Sequence, residues 1–188
     1  MMTPTSEMLL DAAEKMVQQR GFNAFSFADL SAVVGITKAS VHYHFPTKAA
    51  LGHRMLQRYR QRFEAALGEI AASTDDAGIC LTRYAELYER VLRSDLMCLC
   101  GILGAEIMTL PEQMRDELKL FLTRNEDWLV RVLACGGSRL EGASQEQRRE
   151  AAKDIVSMLE GAMLLARATA DMSRFQSTKR RVTAEFAR

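Results

Sequence analysis

Residues 25–51 read FSFADLSAVVGITKASVHYHFPTKAAL, and the fold follows from how this run is punctuated. Ser26 stands three residues before Asp29, a capping-box variant in which the hydroxyl accepts a free amide at a helix start. The helix it opens is short, Phe27 to Val34, with Leu30, Val33 and Val34 expected to face inward. Gly35 permits the left-handed backbone of a tight turn, Ile36 packs beneath it, and Thr37 caps a third helix from Lys38 to His44. Two short helices joined by a glycine-containing turn make a helix-turn-helix. Phe45-Pro46 closes it, because a residue before proline is pushed out of helical geometry.

The charge around this run is one-signed. From Leu30 to Phe63 there is no Asp or Glu, but there are Lys38, Lys48, Arg54, Arg58, Arg60 and Arg62, together with all three histidines, His42, His44 and His53. The flanking regions are net acidic, so the chain's formal charge of +1 conceals a strongly cationic segment. A solvated helix surface normally mixes both signs. A local cationic field beside helix-turn-helix punctuation is the electrostatic footprint of a duplex-binding head.

Outward from the head, helices continue. Upstream, Met8, Leu9, Ala12, Ala13, Met16 and Val17 recur at helical spacing until Gly21. Downstream, Thr47 caps a long helix to Ser73 with Leu51, Met55, Leu56, Tyr59, Phe63, Leu67 and Ile70 along one side. The Asp75-Asp76-Ala77-Gly78 turn marks the boundary between head and body. Further helices are expected over residues 79–93, from Pro111 to Ala134, and from the Ser144/Gln147 capping box to Asp171. Cys98 to Met108 is nearly uncharged, with Glu106 its only charge, and residues 173–188 form a basic, weakly patterned tail. In 188 residues, 48% apolar and 26% charged with three prolines, good helix formers dominate, so the fold class is all-α. The expected division is a head over 1–50, a linking helix over 48–73, and a helical effector-binding and dimerisation body over 51–188. No apolar stretch follows a basic amino end, and the weakly charged stretch over 155–170 is too short to span a bilayer, so a cytoplasmic protein with no membrane partner is expected.

The run from Phe25 to Leu51 resembles the amino-terminal head of the TetR family of bacterial transcriptional regulators. The specific part is G-[IV]-[ST]-K-x-S-[LV]-x-x-H-F-x-[ST]-K, matched from Gly35 to Lys48. The resemblance covers residues 7–55, and the remainder is similar in architecture only. It implies that the third helix lies in the major groove of double-stranded operator DNA. The family's DNA contacts map onto Ser26, Thr37, Lys38, Ala39, Ser40, Tyr43, His44 and Lys48. Lys38, Ala39 and Ser40 lie at the helix's amino end, where side chains reach base edges. Ser26, Tyr43, His44 and Lys48 are placed to hold phosphates, which fix register without reading sequence. Where the family commonly has tyrosine this chain has His42, so either His42 or Tyr43 holds the backbone. Arg54, Arg58, Arg60 and Arg62 read as a solvated face that steers DNA from a distance.

The helix over 144–171 is apolar nearly all round between Ile155 and Ala170 and rich in small residues: Gly161, Ala162, Ala166, Ala168 and Ala170. A helix with no solvent face must be buried. A symmetry mate is the economical partner, with Met114, Leu118, Phe121, Leu122, Leu129, Val132 and Leu133 of the preceding helix completing a four-helix interface. The other reading is a monomer's central helix. A homodimer reads a palindromic operator. The resemblance further implies a ligand-responsive repressor with an effector chamber in the body. Tyr84, Tyr88, Cys98, Ile102, Glu106, Phe121 and Trp128 are candidates to line it, although such residues also serve as plain core, and Glu106 either anchors a ligand or pairs with an arginine. The segment from Cys98 to Glu106 is similar to the electrophile-sensing N-ethylmaleimide reductase repressor subgroup, which would make Cys98 a sensing thiol. Its alternative is a small buried hydrophobe.

Cys80, Cys98, Cys100 and Cys135 form no C-x-x-C pair and lack neighbouring histidines, so reduced thiols are expected, with no metal and no cofactor. An enzyme is not expected, since the chain lacks a phosphate loop, H-E-x-x-H and any base near a nucleophile outside the head. A DNA-binding protein without small-molecule input is the competing class. An enclosed body cavity of several hundred Å³ separates the two.

Overall fold

A computed structural model describes residues 3–188. The first two residues of the expected 1–50 head lie outside the described residues. Among the described residues there are nine α-helices: α1 (Pro4–Arg20), α2 (Phe27–Val34), α3 (Lys38–His44), α4 (Lys48–Ser73), α5 (Ala77–Arg93), α6 (Leu99–Ala105), α7 (Glu112–Val132), α8 (Gln145–Thr169) and α9 (Met172–Phe186). A 3-10 turn over Ile107–Thr109 links α6 to α7. No helix of the described residues is long and apolar enough to cross a membrane.

The chain forms two compact units. One comprises the chain up to Gln61 with Leu99–Leu120, and the other Arg62–Cys98 with Phe121–Arg188, so α4 and α7 each contribute to both. In the first unit the expected caps are in place. Thr3 caps α1, which carries a proline in its first turn. Ser26 and Asp29 satisfy each other's backbone amides in a reciprocal box at α2. Thr37 accepts from Ser40 N–H at 3.1 Å to open α3, and Thr47 accepts from Ala50 N–H at 3.0 Å to open α4. Gly35 adopts the left-handed conformation, φ 75°, at the turn. Leu9, Leu10, Val17, Phe25, Leu30, Val41, Phe45 and Leu51 make the core, each no more than 6% exposed. Gly52 matters to this packing, because a Cβ there would lie 2.5 Å from Met114 Sδ and 2.7 Å from the Phe22 ring.

One inward expectation fails here. Val33 is 66% exposed, because α2 is only two turns long and its buried side is taken by Phe27 and Leu30.

In the second unit, Asp76 caps α5, accepting from Ile79 N–H at 2.8 Å. Ser144 and Gln147 form the expected capping box of α8. Residues 173–188, expected as a weakly patterned tail, lie mostly in a helix over Met172–Phe186 capped by Asp171, with Phe175, Val182 and Phe186 buried. Those three apolar residues are spaced seven and four apart, one narrow stripe that a long basic exterior obscures. α9 packs on α8 and α5. Six of the seven residues expected to bring the α7 segment to a dimer seam are already covered within one chain, Leu122 being half-buried. Met114, Leu118, Phe121, Leu129, Val132 and Leu133 are each at most 4% exposed within a single chain. On α8, Leu164 and Leu165 of the apolar stretch are 56% and 52% exposed in a single chain.

Candidate nucleic-acid interface

α3 is a seven-residue helix fastened by a single inward side chain, Val41, and by Phe45 at its end. Every other position is at least partly open. Lys38, Ala39, His42 and Tyr43 are exposed, and Ser40 and His44 are half-buried. Tyr43 is 84% exposed, and its ring meets His44 edge-on at 5.2 Å. His42 is more constrained. Its ring meets Phe27 at 4.9 Å, and its Nδ1 lies 3.4 Å from the Pro46 carbonyl oxygen. An aromatic hydroxyl left in solvent at the end of an otherwise well-packed helix has no folding role. It is available to a partner. Thr37 is exposed with its oxygen engaged in the α3 cap. Ser26 both accepts from and donates to Asp29 in the α2 cap, and these bonds hold the Asp29 carboxyl below its ordinary range.

Two cationic groups of the basic segment face elsewhere. Arg58, expected on a solvated steering face, reaches α1 and pairs with Glu7 and Asp11, each at 2.7 Å, and with Glu14 at 3.5 Å. Only 13% of its side chain is exposed. Arg60 pairs with Glu117 at 2.6 Å. The acids Glu7, Asp11 and Glu14 recur four and three apart on one face of α1, a stripe legible in the sequence as the counter-charge. Lys48 is also committed. Its ammonium donates to the carbonyl oxygens of Phe22 and Phe25, each at 2.5 Å, and lies over both rings, 4.6 and 4.3 Å from their centroids. Burial pulls its pKa down, with Glu106 and Asp29 opposing.

The expected effector-lining residues fall into two groups. In the second unit, Tyr84, Tyr88, Phe121 and Trp128 gather with Phe63 into one ring cluster. Phe63 meets Phe121 at 5.2 Å, Tyr84 stacks on Trp128 at 5.5 Å, and the two tyrosine hydroxyls share a hydrogen bond of 3.0 Å. Burial raises both tyrosine pKa values. Cys98, in the same unit, is 2% exposed, and its thiol hydrogen-bonds to Glu160. Glu160, absent from the expected lining, is the lone acid in the apolar stretch of α8, a signal visible in the sequence. Burial pushes its carboxyl up to about 7, and its Oε1 is sealed from solvent with no partner. Ile102 and Glu106 belong to the first unit. Among the described residues, Glu106 pairs with no arginine. It accepts from the backbone N–H of Phe22 at 2.7 Å and of Asn23 at 3.5 Å.

The ring cluster is packed against itself, and open space lies on its α4–α7 side. A groove of about 610 Å³ is lined by Leu67, Gly68, Ala71, Cys80, Arg124, Trp128, Arg131 and neighbouring residues. Of the expected lining residues, Trp128 alone borders this groove. Its indole N–H donates to Leu67 O at 3.1 Å.

An exposed, capped, two-turn helix held at a glycine turn to a second short helix defines a helix-turn-helix DNA-binding protein. The family profile of bacterial regulatory proteins, tetR family, matches residues 9–55. A TetR transcriptional regulator from Legionella pneumophila superposes with a TM-score of 0.91 at 29% identity, covering 98% of each chain. A TetR-family regulator from Agrobacterium tumefaciens gives 0.88 at 30% identity over 98% of each chain. The HTH-type transcriptional repressor NemR of Escherichia coli (strain K12) is 29% identical over 120 residues, 61% of this chain and 59% of the repressor. The chain belongs to the TetR family of bacterial transcriptional regulators.

Proposed function

We propose that the protein is a homodimeric repressor that inserts α3 of each copy into successive major grooves of a palindromic operator. The observation that carries this reading is the open face of α3. Lys38 and Ala39 stand exposed at its amino end and Tyr43 at its far end, while Val41 is the one side chain within the helix that is fully buried. Lys38, Ala39 and Ser40 read base edges, with Thr37 as their cap. Tyr43, His44 and Ser26 flank them against phosphates. His42, drawn toward Phe27 and Pro46, orients the helix end, and Tyr43 takes the backbone contact.

Dimerisation is supported by α8. Gly161, Leu164, Leu165 and Ala168 are exposed along one side of a helix whose other side packs on α5 and α9. Small residues beside leucines suit close approach of a second copy. The effector reading rests on the groove of about 610 Å³, which is open and not the enclosed cavity that separates the two classes, but whose volume is ordinary for small-molecule sites. Cys98 is a weak basis for electrophile sensing, since it is 2% exposed and closed to a reagent from solvent.

Selection of duplexes from a random library, followed by sedimentation of the complex, tests this function. Recovery of inverted repeats bound by two chains is expected, with Leu164→Lys lowering dimer formation and operator affinity together. Recovery of no preferred sequence, or of direct single half-sites bound by one chain, contradicts it.

A further inference from the structure

The α1–α2 loop is gripped on both sides of its backbone by residues from two other elements. On the amide side, Glu106 accepts from Phe22 N–H at 2.7 Å and Asn23 N–H at 3.5 Å. On the carbonyl side, Lys48 donates to Phe22 O and Phe25 O, each at 2.5 Å. The fit is close. Gly21 has φ 89°, and a Cβ on it would stand 2.5 Å from Glu106 Oε1. Asn23 adds a side-chain bond to Thr109 at 2.8 Å. Ser26, the cap of α2, directly follows the gripped segment, so the loop sets where the helix-turn-helix begins.

We propose that Lys48 and Glu106 are positioning residues for DNA recognition, a pair of opposite charges that clamps the α1–α2 loop and thereby fixes the presentation of α2 and α3. Lys48 then serves binding through the loop and not by neutralising a phosphate: its ammonium already has two carbonyl acceptors and two aromatic faces. Glu106, an anion, serves binding for the same reason. This inference rests on α3 being the groove-entering helix.

The test uses the full chain and a duplex recovered by the wild type from a random library, with affinity measured by anisotropy across a salt series. Lys48→Met is expected to weaken binding about ten-fold at every salt concentration, with the slope of log K against log salt unchanged. A slope shallower by about 0.9 marks a lost phosphate contact and overturns the clamp. Glu106→Gln gives the opposite sign test. Loss of an anion acting only by long-range charge tightens DNA binding, whereas the clamp predicts weakening of about three-fold or more. Tighter binding overturns the proposal. The double variant is expected to be no weaker than Lys48→Met by more than about two-fold, because both changes release one loop. Amide exchange separates positioning from general destabilisation: Phe22 and Asn23 lose protection in Glu106→Gln while the slowest amides of α5 and α8 do not. Uniformly faster exchange throughout the chain contradicts the positioning role. A wild type that selects no duplex defeats the α3 reading itself, and the clamp falls with it. A binding wild type with unaffected variants defeats only the clamp.

Discussion

Residues 38–44 and residues 48–62 carry the same sign of charge, yet the fold uses them differently. The first stretch lies on α3 with Lys38 exposed and Tyr43 84% exposed. The second lies along α4, where Arg58 faces three carboxylates of α1, Arg60 faces Glu117, and Lys48 is turned onto two carbonyls. Charge density in a sequence therefore overstates the field offered to DNA. Availability is decided by partners that lie far away in the chain, and of these two stretches it is α3 that leaves Lys38 and Tyr43 exposed.

The contrast between committed and uncommitted charge recurs in the second unit and yields the largest expected effect. Glu89 receives Lys179, Arg93 and Gln176 and is held down to about 2, whereas Glu160 is dry and raised to about 7. A carboxyl that keeps its proton in the fold up to about 7, but releases it near 4.5 when unfolded, favours the fold fully below 4.5. That contribution disappears as pH rises through about 7. Denaturant titrations of Glu160→Gln between pH 4 and pH 8 are expected to show roughly 3 kcal/mol less decline than the wild type. An identical decline in both breaks the assignment.

Arg58→Met comes next. It removes the guanidinium that Glu7, Asp11 and Glu14 share, so urea unfolding is expected to show a loss of about 2 kcal/mol in stability, with the salt slope of DNA binding unchanged. A changed slope would move Arg58 to the interface. Lys38→Ala is the mirror case. It is expected to cost between about 1 and 2 kcal/mol of operator binding and to relax preference at one base position, while the unfolding midpoint stays put. Smallest is Ser26→Ala, where removing the cap of α2 costs about 1 kcal/mol of stability. Calorimetry showing no change would mean that Asp29 alone holds the helix start.

The head was legible because its signals are local. Ser26, Gly35, Thr37, Pro46 and Thr47 act within three residues of themselves, and the caps and the glycine turn formed where the pattern placed them. What escaped was long-range. No spacing rule connects Arg58 to Glu7 or Glu106 to Phe22 across some 84 residues. The aromatic cluster shows the same limit. Tyr84, Tyr88, Phe121 and Trp128 do converge, but whether they enclose space or fill it depends on Phe63 from α4. α9 was missed for a different reason: its stripe of Phe175, Val182 and Phe186 is too narrow to stand out against the surrounding Lys and Arg.

The central claim is that α3, and not the basic face of α4, touches DNA. A photo-crosslinking benzoylphenylalanine placed at Tyr43 in one sample and at Arg58 in another tests it most directly, using a duplex recovered by selection. The account predicts an adduct from position 43 and none from position 58. Adducts from position 58 alone would contradict it.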